Sequence, residues 1–96
     1  MKEDRIITRF GSALLEATKV GVIEWSIHEE ISRGDYHACA EFQGLTMKAY
    51  GDGIKISILI STIGVIKITD NGLMDVIEKQ AIGRLGDLAI DIEGIK

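Results

Sequence analysis

Three residues able to bind a metal ion alternate along one segment of the sequence: His37, Cys39 and Glu41. Alternate residues of a β-strand point to the same side, and His28 falls in the segment expected to form the neighbouring strand. Imidazole, thiolate and carboxylate groups all bind zinc-like ions. Residues two apart on a strand are, however, about 6.5–7 Å apart at the backbone, whereas a tetrahedral site usually draws its ligands from several elements. A metal-binding regulator or metal-dependent enzyme is therefore the alternative hypothesis.

Cys39 and a histidine could also supply a thiolate nucleophile and its general base. A nucleophile of this kind needs a displayed position and nearby backbone N–H donors, yet no glycine-rich elbow accompanies Cys39. The Gly51-Asp52-Gly53 segment lacks the lysine and hydroxyl of a phosphate loop and is typical of a turn. We assign no catalytic residue and expect no cofactor, so a non-enzymatic role is favoured.

Three aromatic residues could stack on a small molecule if they line a concave pocket: Trp25, Tyr36 and Tyr50. Trp25 alternates with Ile23 and Ile27, which also indicates a position in the core. All three are candidate ligand-binding residues, but the core is the simpler interpretation of Trp25, with ligand stacking as its alternative.

The composition suits one globular domain spanning residues 1–96, with 46% hydrophobic and 27% charged residues. Eleven lysines and arginines against fifteen aspartates and glutamates give a net charge of -4, which disfavours binding to nucleic acid or to an anionic membrane. The single Cys39 cannot form an intrachain disulfide, and the first nine residues mix charges rather than leading into an apolar segment. We therefore expect a cytoplasmic protein.

The first element that the pattern predicts is an amphipathic helix over about residues 3–20. Its apolar residues recur at helical spacing, at Ile6, Phe10, Leu14 and Ala17. Lys19 near its end complements the helix dipole, and Gly21 stands where a left-handed cap residue belongs.

Beyond Gly21 the apolar residues alternate with polar ones, as in strands that place one face on a core. Gln43-Gly44 predicts a tight hairpin turn, and residues 29–35 are predicted as a longer turn. Alternating segments begin near Ile23, Tyr36, Leu45, Ile54 and Val65. The pattern predicts an antiparallel meander of four to five strands.

A second helix is predicted after the meander, with Asp70 or Asn71 as its N-cap. Gly83 and Gly86 each cost about 1 kcal/mol in a helix interior relative to alanine, so we expect them to break or end this helix. Residues 87–96 are predicted as either a last helical turn or an extra edge strand. The expected fold class is α+β, with helices at both ends of the chain. One face of the second helix carries Leu73, Ile77, Ala81 and Leu85.

The isoleucine-rich segment from residue 54 to 68 carries more apolar side chains than one sheet face can use. Leu59 falls on the face opposite the isoleucines, where a two-layer domain has no second cover. We expect a homodimer or a protein partner to cover this surface, unless one helix packs on each face of the sheet. The candidate interface residues are Ile58, Leu59, Ile60, Val65, Ile66 and Ile68.

These patterns favour a small non-enzymatic interaction module, a homodimer through an apolar sheet face, that binds a protein or sequesters a small molecule. The motif Leu14-Leu15-Glu16-Ala17-Thr18-Lys19-x-Gly21-x-Ile23-x-Trp25, followed by Phe42-Gln43-Gly44-Leu45-Thr46-Met47, resembles a group of small uncharacterised proteins of bacteria and their phages. The resemblance covers the first half of the chain well and the second half only in pattern. It implies a helix followed by a small meander, carries no catalytic residue, and suggests a phage-encoded inhibitor of a host system.

Overall fold

The computed structural model describes residues 2–30 and 35–95 and has a helix, a five-stranded sheet and a second helix. The strands pair antiparallel in chain order, so the predicted α+β meander is confirmed with the full five strands. The elements are α1 (Lys2–Lys19), β1 (Ser26–Glu30), β2 (Asp35–Phe42), β3 (Leu45–Gly51), β4 (Lys55–Ile60), β5 (Gly64–Thr69) and α2 (Leu73–Glu93).

Helix α1 ends as its sequence predicts. Gly21 adopts a φ of 82°, in the left-handed region that favours glycine. The amides of Gly21 and Val22 donate to the carbonyl oxygens of Thr18 and Ala17, which gives these last carbonyls of the helix hydrogen-bond partners.

The first strand begins later than the alternation predicts. Ile23 and Trp25 are buried, but β1 starts only at Ser26. The backbone N–H of Trp25 donates to the side chain of Gln80 rather than to a neighbouring strand. The alternating burial of Ile23 and Trp25 therefore results from the packing of an irregular segment between α1 and β1, not from a strand. Of the longer turn predicted over residues 29–35, residues 31–34 lie outside the described residues, while its two ends belong to β1 and β2.

The two-residue turn at Gln43-Gly44 is confirmed, since both residues have positive φ, 51° and 79°. This geometry matches the right-handed twist of the flanking strands. In the next connection, Asp52 accepts hydrogen bonds on Oδ1 from the amides of Ile54 and Lys55, at 2.8 and 2.7 Å. Those backbone donors lower the pKa of the Asp52 carboxyl below its usual value.

Both helices lie on one face of the sheet, which we call the inner face. Helix α1 contacts α2 and β5, and α2 also contacts β1. The alternative arrangement, with one helix on each face of the sheet, is therefore wrong. In the register of the sheet, Ala38, Ala49, Ile58 and Ile66 form one row across the inner face. The buried core beneath the helices includes Leu14, Trp25, Ala38, Ala49, Ile56, Ile58, Ile68, Leu73 and Ile77.

Helix α2 runs unbroken through Gly83 and Gly86, so the predicted break is wrong, and residues 87–93 are helix rather than strand. A glycine costs about 1 kcal/mol in a helix, a penalty that good helix formers such as Leu85 and Leu88 can offset. The N-cap position belongs to Gly72, with a φ of 89°, rather than to Asp70 or Asn71. The two predicted caps still help, because they accept the amides of Gly72 and Leu73.

Neither helix in the described part of the chain combines the length and the apolar character needed to cross a bilayer.

Candidate functional site

The residues predicted to bind a metal lie on the outer face of the sheet, opposite the helices. His28 is the register partner of His37, Cys39 lies opposite Lys48, and Glu41 lies opposite Thr46. Within residues 2–30 and 35–95, no group of three or more histidine, cysteine, aspartate or glutamate side chains is close enough to hold a metal ion. The extended strand separates these side chains, as its spacing of about 6.5–7 Å per two residues requires.

His37 is instead part of a stack of rings. Its ring centroid is 5.7 Å from that of His28 and 5.0 Å from that of Tyr50, with interplanar angles of 22° and 25°. The stack leaves His37 only 9% exposed although it lies on the open face. Its Nδ1 has no hydrogen-bond partner among the described residues. The arrangement packs aromatic surface across β1, β2 and β3.

Trp25 lies in the core and has no exposed surface. Its indole Nε1 donates to Thr18 Oγ1 at 2.9 Å, and that hydroxyl donates to the carbonyl oxygen of Leu14 at 2.8 Å. A fully buried ring with a satisfied N–H serves packing, so the structure supports the core role that the sequence favours for Trp25.

Gln80 connects helix α2 to Trp25 and to the chain that precedes it. Its Oε1 accepts the backbone N–H of Trp25 at 2.8 Å, and its Nε2 donates to the carbonyl oxygens of Thr18 and Ile23 at 3.2 and 2.8 Å. Sequence reasoning missed this residue. The available signal was a polar side chain three positions after Ile77, on the inward side of the helix.

Tyr36 and Tyr50 line a cleft of about 550 Å³ at one end of the sheet. The cleft is a place where the two tyrosines, but not Trp25, could contact a small molecule. Met74 packs against Gly51 at its floor, where a Cβ on the glycine would lie 2.8 Å from Met74 Cγ. The cleft is acidic, because its lining also includes Asp52, Asp70, Asp75 and Glu78.

The Tyr36 hydroxyl donates a hydrogen bond to Glu78 Oε1 and so joins β2 to α2 at the edge of the cleft. This hydrogen bond, together with the negative charges of Glu78 and Asp75, raises the pKa of Tyr36 above its usual value. The neutral phenol is therefore favoured in the folded state, and stability from this group is lost as the pH rises through its folded pKa.

The predicted interface residues divide between the two sides of the sheet. Leu59 and Val65 are register partners on the outer face, 37% and 61% exposed. Ile66 is half-buried on the inner face. The other three lie in the core under the helices and are not available on the outer face: Ile58, Ile60 and Ile68.

A larger apolar surface lies on the C-terminal half of α2, beyond the part of the helix that packs on the sheet. Leu73 and Ile77 have no exposed surface, whereas every residue from 82 to 95 is exposed. We call residues 81–95, the last part of α2 and the two residues that follow it, the helix extension. The extension lengthens the molecule to 59 Å, with a radius of gyration of 14.9 Å against about 13 Å for a compact domain of 100 residues. Its apolar residues are Ala81, Ile82, Leu85, Leu88, Ala89, Ile90, Ile92 and Ile95.

A shallow groove of about 330 Å³ lies where the helix extension leaves the sheet. Ile27 and Tyr36 line it from the sheet, and Ala81, Ile82 and Leu85 line it from the helix. Ile27 and Tyr36 are 41% and 48% exposed, and Ala81 contributes only a small side chain to the groove. The groove continues the apolar surface of the extension onto the edge strand β1.

Sequence reasoning missed the helix extension because it placed the end of the helix at Gly83 or Gly86. The helical spacing of Ala81, Leu85, Leu88 and Ile92 could have indicated it. The surface offers apolar contact and no catalytic group. Comparison with protein-family models, with curated proteins and with solved structures finds no match to this chain.

Proposed function

We propose that this chain is a non-enzymatic interaction module that forms a homodimer through the helix extension. The observation that carries the proposal is the exposure of Leu85, Leu88 and Ile92, which are 64%, 53% and 59% accessible on one continuous helix. An isolated helix of about twelve residues is marginally stable in water, and most helix stability comes from packing of an apolar face. A partner surface would supply that packing.

The outer sheet face gives weaker support for the same function. Leu59 and Val65 are adjacent there, but their neighbours in the register row are Ser26, Cys39 and Lys48. Two apolar residues in a polar row offer a smaller apolar surface than the helix extension does. Dimerisation through the helix is therefore the form of the proposal that we favour.

Two matched charge insertions test the choice of surface. We expect Leu88→Lys to convert a micromolar dimer into a monomer, because the lysine would be desolvated in an apolar contact. Leu59→Lys, on the outer sheet face, should leave the dimer intact. Light scattering coupled to size-exclusion chromatography measures both masses. A wild-type protein that is monomeric at micromolar concentration would overturn the homodimer, and dissociation by Leu59→Lys alone would move the interface to the sheet.

The biological context that we propose is inhibition of a host protein by a phage-encoded factor in the cytoplasm. Support comes from the resemblance carried by the Leu14–Trp25 motif and from the free thiol of Cys39, which suits a reducing compartment. A dimer through the helix extension would leave the outer sheet face open for such a target. Phage genes beside the coding sequence would support this context, and a housekeeping operon would contradict it.

A second candidate function is capture of a small organic cation in the acidic cleft. The observation that favours it is the combination of two tyrosines with Asp52, Asp70, Asp75 and Glu78 around about 550 Å³. Aromatic faces and carboxylates are the groups that recognise ammonium ions.

Spermidine serves as the probe for this cleft. We expect calorimetric titration to show binding that Asp75→Asn weakens about threefold, the size expected for loss of one exposed charge. Asp87→Asn removes the same charge from the helix extension, away from the cleft, and should leave the affinity unchanged. Absence of binding at millimolar spermidine, or equal effects of the two variants, would contradict the proposal.

A further inference from the structure

The apolar residues of the helix extension follow the spacing of a coiled-coil seam. Ala81, Leu85, Leu88 and Ile92 are separated by four, three and four residues, and Ile95, just beyond the end of the helix, continues the spacing. Side chains at this spacing form one stripe along a helix, and such a stripe packs against a second helix by inserting its side chains between those of the partner. The stripe continues the buried face of α2 beyond the sheet. Its geometry fits a helix as the occupant.

Two charged residues beside the stripe select the orientation of that second helix. Arg84 and Asp91 are exposed and seven residues apart, so they lie on nearly the same side of the helix. In a parallel, in-register pair, the two copies of each of these residues would lie on opposite sides of the seam, so Arg84 would face Ala89 of the second copy and would not reach Asp91. In an antiparallel pair, Arg84 meets Asp91 of the second copy, and the two-fold symmetry repeats this ion pair.

On the basis of the proposed homodimer, we propose that α2 pairs antiparallel with α2 of a second copy. The symmetry axis would lie between Gly86 and Asp87. Leu85 then lies opposite Leu88 of the second copy, and Ala81 lies opposite its Ile92. Gly83 and Gly86 do not interrupt the helix, so the stripe is available for contact as far as Ile92 on one continuous helix.

This register also gives the groove an occupant. Ala81 forms part of the groove beside Ile27 and Ile82, and the antiparallel arrangement brings the Ile92 end of the second helix to Ala81. The volume of about 330 Å³ is sufficient for branched aliphatic side chains. The second copy would thereby contact the edge strand as well as the helix.

The apolar area is sufficient for a weak dimer. Five side chains on or beside the stripe are between 53% and 79% exposed: Ile82, Leu85, Leu88, Ile92 and Ile95. At roughly 70 Å² each they offer about 350 Å² of apolar surface. Because homodimer interfaces are about 65% apolar, this corresponds to about 540 Å² per partner, slightly below the standard range. We therefore expect a dissociation constant in the micromolar rather than the picomolar range.

Charge exchange tests the orientation. We expect Arg84→Asp and Asp91→Arg each to weaken the dimer about tenfold, because each replaces two attractive pairs by two repulsive ones. The double variant Arg84→Asp/Asp91→Arg should restore affinity to within about twofold. Lys79→Asp reverses one charge on an exposed position away from the stripe and should leave the dissociation constant unchanged. Sedimentation velocity measures all four, and circular dichroism confirms that the helix content is kept.

Spin labels provide a second readout that does not depend on charge. In a Cys39→Ser background, labels on Glu93→Cys would be offset by about 20 Å along the axis in the antiparallel pair, but by almost nothing in a parallel pair. Labels on Asp87→Cys, next to the symmetry axis, should be close in either orientation and serve as the control.

The outcomes separate the two proposals. A dimer whose Glu93→Cys labels are as close as its Asp87→Cys labels, or whose double charge variant stays weak, overturns the antiparallel pairing and leaves the homodimer in place. A monomeric wild-type chain overturns both. A dimer that Leu88→Lys does not dissociate places the contact on another surface and also overturns the pairing.

Discussion

Replacing Gln80 by leucine is expected to lower the free energy of unfolding by about 2–4 kcal/mol, although the two side chains are similar in size. Leucine removes three hydrogen bonds, to the backbone of Thr18, Ile23 and Trp25. Leaving a buried polar group without a partner costs about 1–3 kcal/mol. The network is partly buried, so water recovers some of the loss, and the expected total stays well below the sum of three full penalties.

Urea denaturation followed by Trp25 fluorescence measures this effect, and Lys79→Leu is the matched control. Lys79 precedes Gln80 on the same helix but is exposed. The control therefore adds the same apolar side chain without removing a buried hydrogen bond, and its effect should stay within about 0.5 kcal/mol. Equal midpoints for the two variants would show that the Gln80 contacts contribute nothing to stability.

Gln80 also illustrates which parts of this fold the sequence could predict. The two helices and the five strands follow from local periodicity, since helix and strand place apolar residues at different spacings. Gly21 and Gln43-Gly44 marked their turns because glycine tolerates positive φ, as both sites require. The Gln80 hydrogen bonds join residues 55 to 62 positions apart in the chain. Contacts between residues so far apart in the chain produce no local sequence pattern.

Helix α2 could be predicted only in part, because its two halves obey different constraints. In the first half, Leu73 and Ile77 are buried in the core, which confirms the predicted apolar face of the helix at these two residues. Gly83 and Gly86 have low intrinsic helix propensity, but propensity is a weak preference, and the residues between and after them favour helix. The end of a helix is set by the sum over its length rather than by one residue.

The candidate sites were predicted with mixed outcome for a similar reason. Alternation showed that Tyr36 and Tyr50 are on strands, but only the fold places both at the cleft. The same alternation could not distinguish a core ring from a ligand-stacking ring at Trp25. Alternation also does not show which face of β4 the helices cover. In the structure they cover the face that carries Ile58, so Ile58 is buried and Leu59 is exposed.

Burial of Ile58 on the inner face predicts a large loss of stability when this side chain is shortened. We expect Ile58→Ala to destabilise the protein by about 2–5 kcal/mol, the range for truncating a buried isoleucine. Ile58 has no exposed surface and lies between Ala49 and Ile66 in the inner row. Alanine would leave a cavity that its small neighbour Ala49 cannot fill. We expect the loss to be independent of protein concentration, because the contacts lie within one chain.

Leu59→Ala is the matched control, since Leu59 follows Ile58 on the same strand and faces the other way. With a side chain 37% exposed on the uncovered face, it should cost less than about 1 kcal/mol. Urea denaturation at two protein concentrations measures both variants. A large cost for Leu59→Ala that grows with protein concentration would mean that a second copy covers the outer face, because binding to the folded state adds stability by mass action. The dimer would then form through the sheet, and the helix extension would need a different partner.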